Sequence, residues 1–212
     1  MQKNSLNNKN KGSVVASVLI WTVLCLIIAL SVFRIFLGVN YFSVYVVGSS
    51  MEGTLTGAKS KYSEGGDYVY AFRTSSPGRG DIVVIKTDGE DPIIKRVIAL
   101  GGDTVELKAG VLYLNGVEVS EPYLDKKNNT AEDDVNTYPE TLVPDGYMFF
   151  LGDNRDVSVD SRSDKYGMLP VSRTMGVIAD WSLTMKGTVT AFNTFFDFTL
   201  GLRSDSKFSG EL

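Results

Sequence analysis

Ser50 and Lys95 are the residues of this 212-residue chain whose types and settings combine into chemistry. Ser50 stands in Gly48-Ser49-Ser50-Met51, just after the β-branched and aromatic run 41–47. Such a turn exposes a hydroxyl and leaves backbone N–H groups available to a developing oxyanion. Lys95 stands in Ile93-Ile94-Lys95-Arg96-Val97-Ile98. On a strand, Ile93, Lys95 and Val97 share one face, and Ile94, Arg96 and Ile98 the other. A lysine serves as a base only when neutral, so its pKa has to fall from about 10.4 toward 7 or 8. Burial among apolar neighbours does this, because it disfavours the charged form. Plainer readings stand beside both residues. A serine in a Gly/Ser loop is ordinarily a turn residue, and a strand lysine facing water at a sheet edge is common. Periodicity alone does not separate them.

Composition narrows the chemistry further. The chain has no histidine, which excludes Ser-His-Asp and Cys-His mechanisms and the usual histidine-containing zinc sites. Cys25 is the single cysteine and lies in an apolar run, so neither an intrachain disulfide nor a cysteine metal cluster is available. For a protease without histidine or metal, lysine is the obvious remaining base. Residues 1–34 carry Lys3, Lys9, Lys11 and Arg34 and no acid. The other 17 basic residues stand against 25 acidic ones, a formal balance of −8. That balance argues against a nucleic-acid partner, which needs a positive footprint.

The elements that position the pair follow from hydropathy and turn signals. Val14 to Phe33 is 20 residues without a charge, enough at about 1.5 Å per residue to cross a hydrocarbon core of about 30 Å. Its Ser17, Thr22 and Ser31 are satisfied by helix backbone. A cleavable leader is the competing reading, with Ala29-Leu30-Ser31 as a weak small-x-small site. Leader cores run only about 7–15 residues, which favours an uncleaved anchor. The preceding lysines place the N-terminus in the cytoplasm and the bulk outside. The expected organisation is a cytoplasmic tail 1–13, an anchor 14–35 and an extracytoplasmic domain 36–212 with a small insertion at about 106–145. Strands are expected at 41–47, 67–72, 81–86, 93–100, 147–151 and 174–181. Asn115-Gly116 between 111–114 and 117–119 predicts a type I′ hairpin. Residues 56–66 and 125–139 read as loops, and the aromatic stretch 189–202 as a helix or strand packed on the body or a segment lying on a membrane surface. The fold class is mainly β, an antiparallel sheet domain behind one N-terminal transmembrane helix.

Taken in order, the segments resemble the type I signal peptidase family, Ser-Lys proteases that remove signal peptides. Ser50-Met51-Glu52-Gly53-Thr54-Leu55 resembles its Ser-Met-x-Pro-Thr-Leu box, and Gly66-Asp67 a following element. Arg79-Gly80-Asp81-Ile82-Val83-Val84 is similar to the next box, and Ile94-Lys95-Arg96 through Gly102-Asp103-Thr104-Val105 to the lysine box. Gly152-Asp153-Asn154-Arg155 through Ser158-Val159-Asp160-Ser161-Arg162 resembles the last. The boxes cover most of residues 44–178.

The resemblance implies Ser50 as nucleophile, with its backbone N–H as an oxyanion donor, and Lys95 as general base. It implies that Ser158 orients the Lys95 amine, that Asp160 and Arg162 form a supporting ion pair, and that Asp153 and Arg155 hold the loop. Substrate would add as a β-strand, with Val44, Val46, Met51, Leu55, Ile93 and Ile94 lining shallow pockets for Ala-x-Ala sequences. The implied partners are signal peptides and the lipid bilayer, with a monomeric protein, no metal and no cofactor. Gly53 and Gly101 stand where the family has Pro, Val157 where it has Asn, and Gly48 where some members have Ser; residues 56–65 exceed the usual spacing. A non-catalytic relative scaffolding surface-fibre (pilus) assembly is the alternative, although such relatives generally lose the Ser or the Lys. A self-cleaving Ser-Lys repressor-type protease is a third reading, disfavoured by the anchor.

Overall fold

The computed structural model describes residues 2–88, 91–130, 136–195 and 208–209. The chain divides into two compact units, the first ending at Tyr41 and the second beginning at Phe42. The first is the helix α1 (Gln2–Asn40). Its stretch Val14–Asn40 is apolar and long enough to cross a membrane, with a mean hydropathy of 2.7. Within this stretch Leu19, Trp21, Ile27 and Phe33 are all exposed, so apolar side chains are not confined to one face of it. Its hydroxyls are satisfied one turn back: Thr22 donates to Leu19 O and Ser31 to Ile27 O, both at 2.8 Å. That internal satisfaction is what a hydrocarbon environment demands.

The second unit is mainly β. Its main-sheet strands are β1 (Tyr41–Tyr45), β2 (Tyr68–Phe72), β3 (Ile82–Ile85) and β4 (Ile93–Leu100). The inserted strands β5 (Thr104–Lys108), β6 (Val111–Leu114), β7 (Val117–Glu118) and β8 (Tyr138–Leu142) follow. The chain then returns through β9 (Tyr147–Leu151), β10 (Leu169–Pro170) and β11 (Thr174–Ile178) to the helices α2 (Asp180–Thr184) and α3 (Lys186–Thr194). A short β12 (Phe208–Ser209) is the last described element. The large sheet is ordered β10-β9-β4-β3-β11-β2-β1-β12, and the inserted sheet β7-β6-β5-β8.

β4 is the strand around which the unit is organised. It pairs antiparallel with β3, placing Val83 opposite Lys95 and Ile82 opposite Arg96, and with β9 on its other side. Alternation along it feeds two cores. Ile94 packs with Ile82, Val84, Val44, Val46, Met51 and Leu55. Ile93 and Val97 pack with Val83, Ile85, Met148 and Phe150. A register shift between Val97 and Ala99 sends Ile98 and Ala99 into a third cluster with Val105, Leu107, Leu112, Phe149 and Leu151, which joins the inserted sheet to the main one.

The Asn115-Gly116 turn has positive φ at both residues, 52° and 76°, as a type I′ hairpin requires. Other expectations need correction. The strand expected to run to Trp181 stops at Ile178, because Trp181 enters α2 to stack on Tyr70 and Ser182 Oγ accepts from Tyr70 N. Part of the stretch taken as loop is β8: its Tyr-Pro-Glu-Thr-Leu sequence has little apolar alternation, and pairing with β5 makes it a strand. The aromatic stretch begins in α3, with Val189 buried and Phe192 and Phe195 exposed; its residues 196–202 lie outside the described residues.

Phe149 is fully buried and meets Tyr138 at a ring-centroid distance of 4.9 Å, so it bridges the two sheets. Phe149→Ala is expected to cost about 3–5 kcal/mol, read as a lowered midpoint in urea denaturation of the detergent-solubilised protein. An unchanged midpoint would mean the inserted sheet is not part of the cooperative core.

Candidate active site

Ser50 opens a tight turn that follows β1. Glu52 N donates to Ser49 O at 3.0 Å, and Thr54 N and Leu55 N to Met51 O at 3.1 and 2.8 Å. The turn is held from outside by the segment after β9. Asn154 N donates to Ser50 O at 3.0 Å, and Asn154 Nδ2 to Ser49 O at 3.1 Å. The Ser50 hydroxyl is thereby fixed against β4, where Lys95 Nζ donates to Ser50 Oγ at 2.6 Å.

Lys95 is 2% exposed and Ser50 7%. Burial lowers the Lys95 pKa from 10.5 to about 8; Asp160 opposes the shift, Arg162 adds to it, and Asp153 opposes it. Desolvation is the larger influence because an ammonium taken from water loses hydration that distant carboxylates do not replace. At mildly alkaline pH a substantial share of this amine is neutral, next to the one hydroxyl it touches.

The residues of the last box form the floor beneath the pair. Asp160 and Arg162 pair through Nε and Oδ1 at 2.9 Å, and Asp160 Oδ2 accepts from Gly152 N at 3.0 Å. Gly152 leaves no room for a side chain: a Cβ there would lie 2.2 Å from Ser158 Oγ and 2.5 Å from Ser50 O. Glycine is therefore what lets this segment pass under the Ser50 turn. Asp153 makes a bidentate pair with Arg96, at 2.9 Å to Nε and 2.6 Å to Nη2, and also accepts from Thr54 Oγ1 at 2.5 Å. Burial works against the Arg96 charge, yet its bonds to Asp153 raise its pKa above the ordinary value. Asp153 thus joins the Ser50 turn to the strand of Lys95. Arg155 pairs elsewhere, with Glu121.

Two expectations change. Ser158 Oγ is buried and has no hydrogen-bond partner among the described residues, so the expected bond to the Lys95 amine is not formed here. Ile93 does not join the other expected pocket residues. Val44, Val46, Met51, Leu55 and Ile94 share one cluster, whereas Ile93 projects to the opposite face of β4, as a period of two requires. All six are buried.

Residues 16–181 match the family model described as signal peptidase, peptidase S26. The chain belongs to the S26 signal peptidase family. It is 36% identical over 185 residues to a signal peptidase I of Bacillus licheniformis, covering 82% of this chain and 90% of the relative. It is 37% identical over 165 residues to one of Bacillus amyloliquefaciens, covering 74% and 84%. A signal peptidase IB of Staphylococcus aureus is 31% identical over 146 residues, covering 63% and 73%. A crystal structure of a signal peptidase I from Enterococcus faecalis, 35% identical, superposes with a TM-score of 0.42 over 49% of this chain and 97% of that one.

In this S26 peptidase the contacts not foreseen from sequence are those of Thr54, Asn154, Glu121 and Tyr123 around the pair. Thr54 and Asn154 lie inside recognised boxes. Glu121 and Tyr123 lie in the insertion, where nothing in the sequence marks them.

The depressed Lys95 pKa has a stability consequence. An unfolded chain holds a proton between about pH 8 and 10.5 that the folded one has released, so stability rises with pH through that window. Below it the buried charge is a penalty. Lys95→Met is expected to raise stability at pH 7 by about 1–3 kcal/mol, with the gain shrinking as the pH passes through the window. Denaturant titrations of both proteins at pH 7 and pH 10 check this; a Met variant less stable at both would contradict it.

Proposed function

We propose that the chain is a membrane-bound serine endopeptidase that removes N-terminal signal peptides from exported proteins after small residues of the Ala-x-Ala type. Ser50 is the nucleophile and Lys95 the general base. The observation that carries this reading is the 2.6 Å hydrogen bond between the buried Lys95 amine and Ser50 Oγ. Family membership supports the same reading, since the relatives named above are signal peptidases.

In the first half-reaction neutral Lys95 takes the Ser50 proton as Oγ attacks the scissile carbonyl carbon. The oxyanion is met by the Ser50 backbone N–H. The Lys95 ammonium then protonates the leaving amine, and an ester to Ser50 remains. In the second half-reaction Lys95 deprotonates a water that attacks this ester, and the proton returns to Ser50. Asp160 and Arg162, with Asp153, set the electrostatic surroundings of the amine. Ser158 orients the amine in the substrate-bound state. A buried unpaired hydroxyl costs about 1–3 kcal/mol, and a bond to Lys95 removes that cost.

The signal peptide adds as a strand beside β1. The pairing of Phe208–Ser209 with Val44 and Tyr45 supports this, since a further strand lies along β1 there. Val44, Val46, Met51, Leu55 and Ile94 line the small pockets, and Ile93 takes part through its backbone. Residues 1–13 lie in the cytoplasm, 14–35 form the transmembrane anchor, and 36–212 lie outside, with the inserted segment at about 106–145. The basic flank of Lys3, Lys9 and Lys11 supports that orientation. The protein works as a monomer in the bilayer.

The test is cleavage of an Ala-x-Ala signal-peptide substrate by the full-length protein in lipid vesicles. Ser50→Ala and Lys95→Ala are each expected to lower kcat by about three orders of magnitude or more. The wild-type rate is expected to rise with pH and level off above about 8, where Lys95 is neutral. Equal rates for the three proteins would refute the Ser-Lys assignment.

A further inference from the structure

We infer that Glu121 and Tyr123, in the insertion, are positioning residues for the Ser50–Lys95 pair, acting through Arg155 and Arg96. The inference rests on the Ser-Lys reading given above.

Both arginines are buried, and both are gripped by the same short segment. Arg155 makes a bidentate pair with Glu121, Nη1 to Oε2 at 3.1 Å and Nη2 to Oε1 at 2.5 Å. The Tyr123 hydroxyl donates to Glu121 Oε1 at 2.5 Å, and the Tyr123 ring lies under the Arg96 guanidinium, 3.8 Å from Cζ to the centroid. Burial and the Glu121 carboxylate hold the Tyr123 hydroxyl well above the ordinary phenol range, so it remains a donor. The segment continues over the site. A Cβ on Gly53 would lie 3.6 Å from Tyr123 O and from Asp125, and Asn129 Nδ2 donates to Asp153 O at 3.3 Å while its Oδ1 accepts from Arg155 N at 3.3 Å. Residues 121–129 therefore form a strap across the nucleophile turn and the last box.

Each gripped arginine is connected to a segment that carries or adjoins the pair. Arg155 Nε donates to Gly152 O at 3.1 Å, and a Cβ on Gly152 would lie 2.5 Å from Ser50 O and 2.2 Å from Ser158 Oγ. Arg96 follows Lys95 in β4 and points to the other face. Its guanidinium, clamped between the Tyr123 ring and Asp153, sets the rotation of the strand that aims Lys95. Stability alone is a poor explanation for such a cluster. A buried ion pair gains little over apolar side chains of similar size, because desolvating both charges consumes most of the attraction. What it supplies is direction: a bidentate fork fixes orientation as well as distance.

That difference supplies the experiment. Glu121→Gln breaks the charge pair but keeps its shape, and Glu121→Leu with Arg155→Met replaces the pair by apolar side chains. Both are assayed beside Ser50→Ala, as full-length proteins in vesicles, for kcat, KM and thermal unfolding. Glu121→Gln is expected to lower kcat about tenfold to a hundredfold, the penalty of a misplacement near 1 Å, with KM within about threefold because the strand-binding edge is untouched. The apolar pair is expected to unfold near the wild-type temperature while its kcat stays low. Wild-type kcat in either folded variant, or loss of the fold in both, would make the cluster a stability element and overturn the inference. An active Ser50→Ala protein would instead overturn the Ser-Lys reading itself.

Discussion

An amine removed from water and set against a single hydroxyl is the interaction on which the rest of this molecule depends. An ammonium resists burial, and Lys95 is tolerated at 2% exposure only because β3, β4 and β9 close around it and Ser50 Oγ receives its hydrogen bond. The same desolvation that costs stability makes the group a usable base near neutral pH. Surrounding charge moderates the effect. Asp160 pulls the pKa up, Arg162 pushes it down, and their mutual pairing keeps either from dominating.

Holding a serine from a turn against a lysine from a strand requires a third party, and the loop after β9 fills that role. Asp153 binds Thr54 on one side and Arg96 on the other, and Asn154 binds the carbonyls of Ser49 and Ser50. The contacts reach across the sequence, so no local segment specifies the site. The segment between β7 and β8 is tied to this loop through Glu121 and Asn129, and the inserted sheet to the main sheet through the cluster around Phe149.

Legibility followed the range of the forces. The alternation in β4, the positive-φ demand met by Asn115-Gly116 and the charge-free run from Val14 are local properties, and they appear as β4, the β6–β7 hairpin and the apolar part of α1. β8 has a polar, proline-containing sequence and is a strand because β5 offers it an edge. The residues 180–184 turn helical where Trp181 finds the Tyr70 ring. Ser158 sits in a recognisable box, yet its hydroxyl is buried beside Gly152 without a hydrogen-bond partner among the described residues.

The sequence by itself determined the chemistry still open to this protein. Without histidine, and with its one cysteine in an apolar helix, His- and Cys-based mechanisms were closed, and the ordered boxes placed the chain beside the signal peptidases. Whether Lys95 faced water or the core was decided by tertiary structure alone. Alternation along a strand states which residues share a face but not what covers it, and the cover comes from segments as distant as Ser50 and Asp160. The pairing of Arg155 with Glu121 rather than with a neighbour in its own box was decided in the same way. A buried guanidinium takes whichever carboxylate the fold brings to it, and sequence distance does not enter that choice.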